Sequence, residues 1–584
     1  MDAHKESLSR ILSMPIRLVA PLFQRPYVWT REDNWEPLWE AFEEVLDRRT
    51  GESKPRSYFM GAIVLDRIAG KVGAVPTREI IDGQQRMTTI QIMLEAGHKV
   101  FNDAGFQHQA KQLRKLTRNE LDEEEDAESE EQYKVWPTNV DRAGFRSVMN
   151  GTPGKGLMSE ARTFFESSIH LWLRPEQEGA KDRAVAFVQA VNQDLLFVAI
   201  DLTDEDDDGQ LIFETLNALG TPLLPSDLVK NLLFRAAIAD GLDTEKLYAS
   251  YWRPFEEDAA YWRQERVKVG RRERPRIDVF LQHYLIYKLG KEPNLSHQFR
   301  EYRDALKDGV FGSVEEAIRD LAEHAALFRR FDQAKDGNLG RLRHVLGVLD
   351  LSVPTTLVLG ILSNVSDVEE QDAMWATIES YFVRRFLCCL LTKNYNLVVV
   401  GLIAALRKGG WSNSVLQSTL LGFEGNSTVW PDDAFIKWRV SERNSYRDLR
   451  TAGVAYVLAR VEESMRSLKS EAPWSYRTPL TVEHLMPQKW EAHWPLLNPN
   501  DDEEKRRRYD LNNRMGNLTV LTQGLNSSIS NGPWVEKRKH LNQYSVLLMN
   551  SELATREAWT EQDIVARSEI LASKFCELWA RNTP

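Results

Sequence analysis

From about residue 245 to 430 the apolar residues recur at helical spacing almost without interruption, and this stretch limits what the rest of the chain can become. IDVFLQHYLIYKL and AMWATIESYFVRRFLCCLLT are typical of it, and no internal repeat of fixed period accompanies them. Strand-like patterns are left to either side. At 584 residues the chain is also too long for one core. Three parts are therefore expected: 1–240, mixing strands and helices; 241–435, helical; and 436–584, with a compact motif of its own. The expected class is multidomain, mainly α with α+β parts.

A formal net charge of −11 argues against a protein that coats nucleic acid everywhere, but not against a local basic groove. The three cysteines, Cys388, Cys389 and Cys576, form no CxxC pair, so neither a zinc ribbon nor a disulfide framework is expected. A reducing cytoplasm fits. The opening MDAHKESLSR is charged where an export signal needs an apolar core. LSVPTTLVLGIL and NLVVVGLIAAL are too short or too interrupted to span a bilayer and read as buried helices, so no membrane partner is expected.

In the first part, PIRLVAPL, YFMGAIVLDRI, REII and LLFVAIDL read as strands. NWEPLWEAFEEVLDRR is an amphipathic helix with Trp35, Leu38, Trp39, Phe42 and Leu46 on one face, and RMTTIQIMLEAGHKV is a second helix. The acidic runs at 121–131 and 204–208 read as solvated. GNSTVWPDD, near 425–433, reads as a linker.

Asp82-Gly83-Gln84-Gln85-Arg86 falls where a strand gives way to a helix. Backbone N–H groups at a helix N-terminus bind anions, Gly83 permits close approach or positive φ, and Arg86 offers a planar fork for phosphate. Asp82 would hold a metal-bound water or a ribose hydroxyl, and Gln84 and Gln85 would face phosphate, base or water. The plainer alternative is that Asp82 caps the helix and Arg86 makes a surface ion pair. Lys230 and Asn231 are candidates for the same pocket, although Lys230 also reads as an ordinary solvated helix residue. Gln24, Arg25, Tyr27 and Trp29 alternate polar and aromatic groups, which suits recognition of a modified nucleotide; equally, Tyr27 and Trp29 belong to a core.

TVEHLMPQKW at 481–490 and NRMGNLTVLTQGLNSSISN at 513–531 give the order strand, loop, strand, helix of a ββα-metal nuclease. Phosphodiester hydrolysis needs a base for water and a cation at the phosphate. His484 suits the base; Glu483 and the amide oxygen of Asn526 suit a hard cation such as Mg²⁺; Asn517 would brace the loop. Successive strand residues face opposite ways, so Glu483 and His484 need a twist or bulge to serve one site. The alternative is a satisfied core histidine with two asparagine turns.

EHLMPQ, GNLTVLT and LNSSISN together resemble the HNH domain of GmrSD-type modification-dependent restriction enzymes. DGQQR, FQRPYVW at 23–29 and IFETLNALGTPLLPSDLVKNLLF at 212–234 resemble their ParB/sulfiredoxin-like N-terminal domain. The resemblance covers most of 10–240 and 475–545. It implies an antiphage DNA nickase using Mg²⁺ or Mn²⁺, with His484, Asn517 and Asn526 catalytic and Glu483 and Asn526 on the metal. It further implies that Asp82 to Arg86, with Lys230, bind GTP or ATP, and that Gln24, Arg25, Tyr27 and Trp29 sense modification. The modification would be an altered cytosine or a phosphorothioate backbone. The implied partners are nucleotide and double-stranded phage or modified DNA. One HNH site cuts one strand, so a duplex break needs a homo-oligomer or repeated nicking. Glu before the base and Asn as last ligand depart from the three-letter name but still offer oxygen. Two other readings stand beside this one: a ParB-like DNA-binding nucleotide switch with a non-catalytic HNH module, and an RNA-cleaving toxin.

Basic residues cluster three times. Arg263, Arg266, Lys268, Arg271, Arg272, Arg274 and Arg276 form a loop-like segment beside Tyr261 and Trp262, and are either a DNA contact or a solvated loop. KRRRYD at 505–510 and EKRKH at 536–540 flank the C-terminal motif, where a substrate backbone must pass.

Overall fold

Six strands of the first part make one mixed sheet in the order β1-β6-β3-β4-β2-β5. They are β1 Asp2–Ser7, β2 Arg17–Val19, β3 Tyr58–Arg67, β4 Thr77–Asp82, β5 Val135–Trp136 and β6 Leu195–Asp201. The computed structural model describes residues 2–21, 24–51, 56–67, 75–120, 129–152, 154–202, 224–269, 272–294, 298–466, 479–529 and 531–581. The chain divides into two compact units, Met1–Tyr248 and Ala249–Pro584. It is mainly helical, and no helix among the described residues is long and apolar enough to cross a membrane.

In the first unit β3 runs parallel to β6 and antiparallel to β4. Helices α1 Leu8–Ser13, α2 Glu36–Thr50 and α3 Gln84–Asp103 bury Leu12, Trp39, Phe42, Met93 and Leu94 in one core with Phe187 and Phe197. The strand expected over PIRLVAPL shrinks to three residues, because Pro15 and Pro21 lack the N–H a ladder needs. β1 carries no apolar alternation; it pairs through its backbone with the buried β6 at the sheet edge. Of the acidic run at 121–131, residues 129–131 are described, and there the Glu130 carboxylate accepts from Arg17 at 2.9 Å instead of standing free in solvent. Residues 203–223, which hold the other acidic run and most of the IFETLNALGTPLLP stretch, lie outside the described residues.

In the second unit the basic segment near 270 is an antiparallel pair, β7 Arg266–Val269 with β8 Arg272–Pro275, where a loop was expected. Most of the helices that follow, from Arg276–Leu289 to Thr451–Ser464, share a core with the C-terminal helix Glu561–Leu578. The expected boundary near 435 crosses this core: Trp375 and Tyr381 belong to one cluster with Val454, Phe575 and Trp579. GNSTVWPDD is bonded into it as well, because Trp430 is buried and the Arg385 guanidinium donates to the carbonyls of Asn426, Ser427 and Val429.

A short hairpin, β9 Thr481–His484 antiparallel to β10 Leu518–Leu521, lies between two apolar clusters. Val482, Leu518 and Val520 join the large helical core. Leu485, Met486 and Leu521 join a smaller one with Trp490, Trp534 and Trp559. The helix Gln523–Ile529 follows β10 directly, so the expected order of strand, loop, strand, helix is present.

Candidate active site

Glu483, His484 and Asn526 line one cleft of about 390 Å³, together with Tyr446, Thr481, Pro487, Gln488, Gln523 and Ser527. His484 is the last residue of β9, and Leu485 N still donates across to the Asn517 carbonyl at 2.9 Å. The register with β10 is regular from Thr481 to His484, without the expected bulge, and both neighbours reach the cleft at the end of the strand. The His484 ring packs edge-on against Tyr446, with centroids 4.4 Å apart. It is 6 % exposed, and its Nε2 has no hydrogen-bond partner among the described residues. Burial lowers its pKa to about 4; the Asn513 side chain pulls the other way and the Lys537 charge adds to the lowering. The imidazole is therefore neutral at pH 7 and keeps a lone pair for a proton.

Asn526 donates its amide to Thr481 Oγ1 at 2.8 Å and to the Val482 carbonyl at 3.3 Å. A carbonyl only accepts, so the amide nitrogen must face it. Oδ1 is thereby turned elsewhere and meets no protein donor among the described residues. Burial raises the Glu483 carboxyl above its ordinary range, against the pull of the Lys537 ammonium, which donates to Oε1. Glu483 and Asn526 thus present oxygen to the cleft. Two protein oxygens, with room for water and phosphate, fit a hard cation such as Mg²⁺, which dehydrates reluctantly. No cluster of three or more His, Cys, Asp or Glu suited to a metal occurs among the described residues.

Asn517 does not line the cleft. It is fully buried, and its side chain ties the loop after His484 to the turn before β10. Oδ1 accepts from Met486 N at 2.8 Å and Trp559 Nε1 at 3.0 Å; Nδ2 donates to Met486 O at 2.9 Å and Asn512 O at 2.8 Å. The preceding Gly516 is needed for contact, since a Cβ there would lie 2.1 Å from the Ile564 carbonyl on the C-terminal helix.

The two early motifs form a single cluster. Gln85 donates to the Pro26 carbonyl at 3.1 Å and accepts from Val28 N at 2.9 Å. Gln84 donates to the Arg25 carbonyl at 3.2 Å. Gln24 reaches the other way, donating to the carbonyls of Ile80 and Ile81 at 2.7 and 3.0 Å. The glutamines thus hold the Gln24–Val28 segment against the start of α3. Asp82 is not the helix cap: Gly83 is, at φ +95°. Nor does Arg86 make a surface ion pair. It is half-buried and donates to the Ala62 carbonyl at 2.9 Å. Its guanidinium lies over Gly61, where φ is +99° and a Cβ would sit 2.9 Å from it. Gly61 is a further residue of this cluster, and a glycine inside a strand pattern is the sequence signal of such a close approach. Burial raises the Asp82 carboxyl, opposed by the Gly83 N–H, Arg86 and Arg25.

Tyr27 is core: it is buried, its hydroxyl shares a 2.7 Å bond with Thr89 and accepts from Trp35 at 2.9 Å. Trp29 packs half-buried against the same core, and Arg25 is half-buried beside Asp82. Lys230 is no solvated helix residue. It is 1 % exposed on the helix Pro225–Ala239, its ammonium 5.1 Å from the Tyr248 ring centroid. Leu228 of that helix packs on Val64 and Ile81, which puts the helix on the sheet face beside Asp82. Two buried acceptors, Gln24 Oε1 and Asn231 Oδ1, lack a partner among the described residues. With Arg86, Arg25 and Lys230 as cations, this donor and acceptor set fits a nucleotide in kind.

The basic runs divide on inspection. Arg276 is buried and bonds Glu265 and the Tyr261 carbonyl, while Arg274 donates to Gln282 and Gln298. Trp262 is core. Those groups hold the fold together; Arg266 stays exposed, and Arg271 lies outside the described residues. In the C-terminal runs Arg508 is spent on Glu561 and the Trp494 carbonyl, and Lys537 on Glu483, leaving Arg506, Arg507 and Lys539 exposed. Lys537 and Tyr446 join the site beyond the expected residues. For Lys537 a signal existed, because Trp534, Lys537 and Leu541 share one helical face and both apolar members are buried.

Residues 8–234 match the N-terminal domain of the GmrSD restriction endonuclease, and residues 430–574 match the C-terminal domain of the GmrSD restriction endonucleases. The chain belongs to the GmrSD restriction endonuclease family. Both domains occur here in one polypeptide, and the matched C-terminal segment contains the whole cleft. GmrSD membership makes the chain an endonuclease with DNA as substrate. No curated protein matches the chain.

Proposed function

We propose that this GmrSD-family chain is an HNH endonuclease that nicks DNA with Mg²⁺ or Mn²⁺ under control of a ParB/sulfiredoxin-like N-terminal domain that binds and hydrolyses GTP or ATP. The observation that carries the nuclease part is the convergence of Glu483, His484 and Asn526 on one cleft, with Asn517 bracing the loop behind them. His484, held neutral by burial, takes the proton from the attacking water. Glu483 and Asn526 would hold the cation, which supplies charge for the phosphate and the leaving oxygen. Tyr446 fixes the imidazole plane. The nucleotide part rests on Arg25, Asp82 and Arg86 meeting at the start of α3 and on the two unpartnered acceptors nearby. Arg25 and Trp29, at the rim of that cluster, sense modification, while Gln24 and Tyr27 hold the segment in place.

The test is cleavage of supercoiled plasmid with Mg²⁺. Substrates are unmodified, glucosyl-hydroxymethylcytosine and phosphorothioate DNA, each with and without GTP or ATP. The expected result is nicking that depends on modification or nucleotide and is abolished in His484→Ala. Nicking that survives His484→Ala, or its absence in every lane, overturns the assignment.

A further inference from the structure

Glu483 is the one carboxylate among the described residues lining the cleft, and it does not face the cleft unopposed. The Lys537 side chain is 1 % exposed, and its ammonium donates both to Glu483 and to the His484 backbone carbonyl, the latter at 2.6 Å. It comes from the helix Trp534–Tyr544, on the face that also buries Trp534 and Leu541. A buried charge of this kind is screened little by salt. Carboxylate and ammonium cancel, His484 is neutral, and the other residue assigned to the cation, Asn526, offers an uncharged amide oxygen.

Affinity for a hard dication follows the number of charged ligands. Here that number is one, already offset by a fixed positive charge. We infer that Lys537 is a built-in counter-charge that keeps the protein's affinity for the divalent cation low until a DNA phosphodiester supplies the missing negative charge, so that cation and substrate bind together. Lys537 is a positioning residue in this scheme. It holds one oxygen of Glu483 and the backbone carbonyl of the base. The inference rests on the nuclease reading above and adds an order of binding to it.

Mn²⁺ titration followed by the electron paramagnetic resonance signal of the free ion tests this without relying on turnover. His484→Ala protein is titrated alone and with saturating duplex DNA, with DNA-only and Glu483→Gln samples to isolate the site. The expected result is a Glu483-dependent Mn²⁺ affinity about tenfold or more tighter with DNA present. Lys537→Met is expected to tighten Mn²⁺ binding by the DNA-free protein about tenfold and to shrink the effect of DNA. Equal affinity with and without DNA overturns the inference, as does a folded Lys537→Met protein with unchanged affinity. Should Lys537→Met fail to fold, the comparison with and without DNA decides alone. His484-dependent nicking together with tight Mn²⁺ binding by the DNA-free protein refutes the counter-charge and leaves the nuclease standing; absence of nicking refutes the nuclease itself.

Discussion

At the scale of single residues, His484 shows how environment sets chemistry. An exposed imidazole titrates near 6.5, but burial against Tyr446 brings this one to about 4. A general base works when neutral, so the sign is plain. As pH falls from 8 to 6 the His484 contribution to kcat/KM is expected to stay constant, and to be lost only as pH approaches 4. A pH–rate profile of plasmid nicking at fixed Mg²⁺ checks this; an acid limb near 6.5 contradicts it. Asn517 makes the complementary point. The residue type was legible in the sequence as part of a site, but its four bonds show that it orders the loop and stays out of the cleft.

At the scale of elements, the C-terminal helix Glu561–Leu578 clamps the turn before β10. Gly516 N donates to Ser568 Oγ at 3.0 Å, and the Arg567 guanidinium donates to the carbonyls of Gly516 and Leu518. An added methyl at Gly516 has nowhere to go, since the nearest atom is backbone oxygen. Gly516→Ala is expected to cost about 3 kcal/mol, at the upper end for overpacking, and to abolish nicking with it. Urea or thermal melting measures the first, and a loss under about 1 kcal/mol would mean that the helix gives way easily. In the first unit the glutamine bonds between α3 and the Gln24–Val28 segment do a similar job, tying an irregular segment to a helix start.

At the scale of the whole molecule, the two compact units predict where the chain can be divided. The core of the second unit runs from Tyr287 to Trp579. Buried Glu379 accepts from Trp579 Nε1 at 2.8 Å and Tyr456 Oη at 2.9 Å, and Ser380 donates to the Trp579 carbonyl at 2.9 Å. A fragment of residues 436–584 leaves those partners behind, although it contains the entire cleft. It is expected not to fold, whereas residues 249–584 are expected to melt cooperatively. Circular dichroism melts of the two fragments separate these outcomes, and a stable 436–584 fragment contradicts the argument.

The helical middle, most strands of the first unit and the residue types of Glu483, His484 and Asn526 could be read from the amino-acid order. Each depends on local order: apolar spacing for the elements, and a residue set within a short strand or turn for the site. Which charges are spent depends on the folded chain. Lys537, Arg276 and Lys230 look alike as basic residues in a string, yet one neutralises Glu483, one pairs with Glu265, and one is buried beside Tyr248. Folding also gives 241–435 and 436–584 a shared core, and makes DGQQR and the Gln24–Val28 segment one cluster. Such contacts join residues tens to hundreds of positions apart. Their energy comes from burial and desolvation, which exist only after the chain has closed on itself.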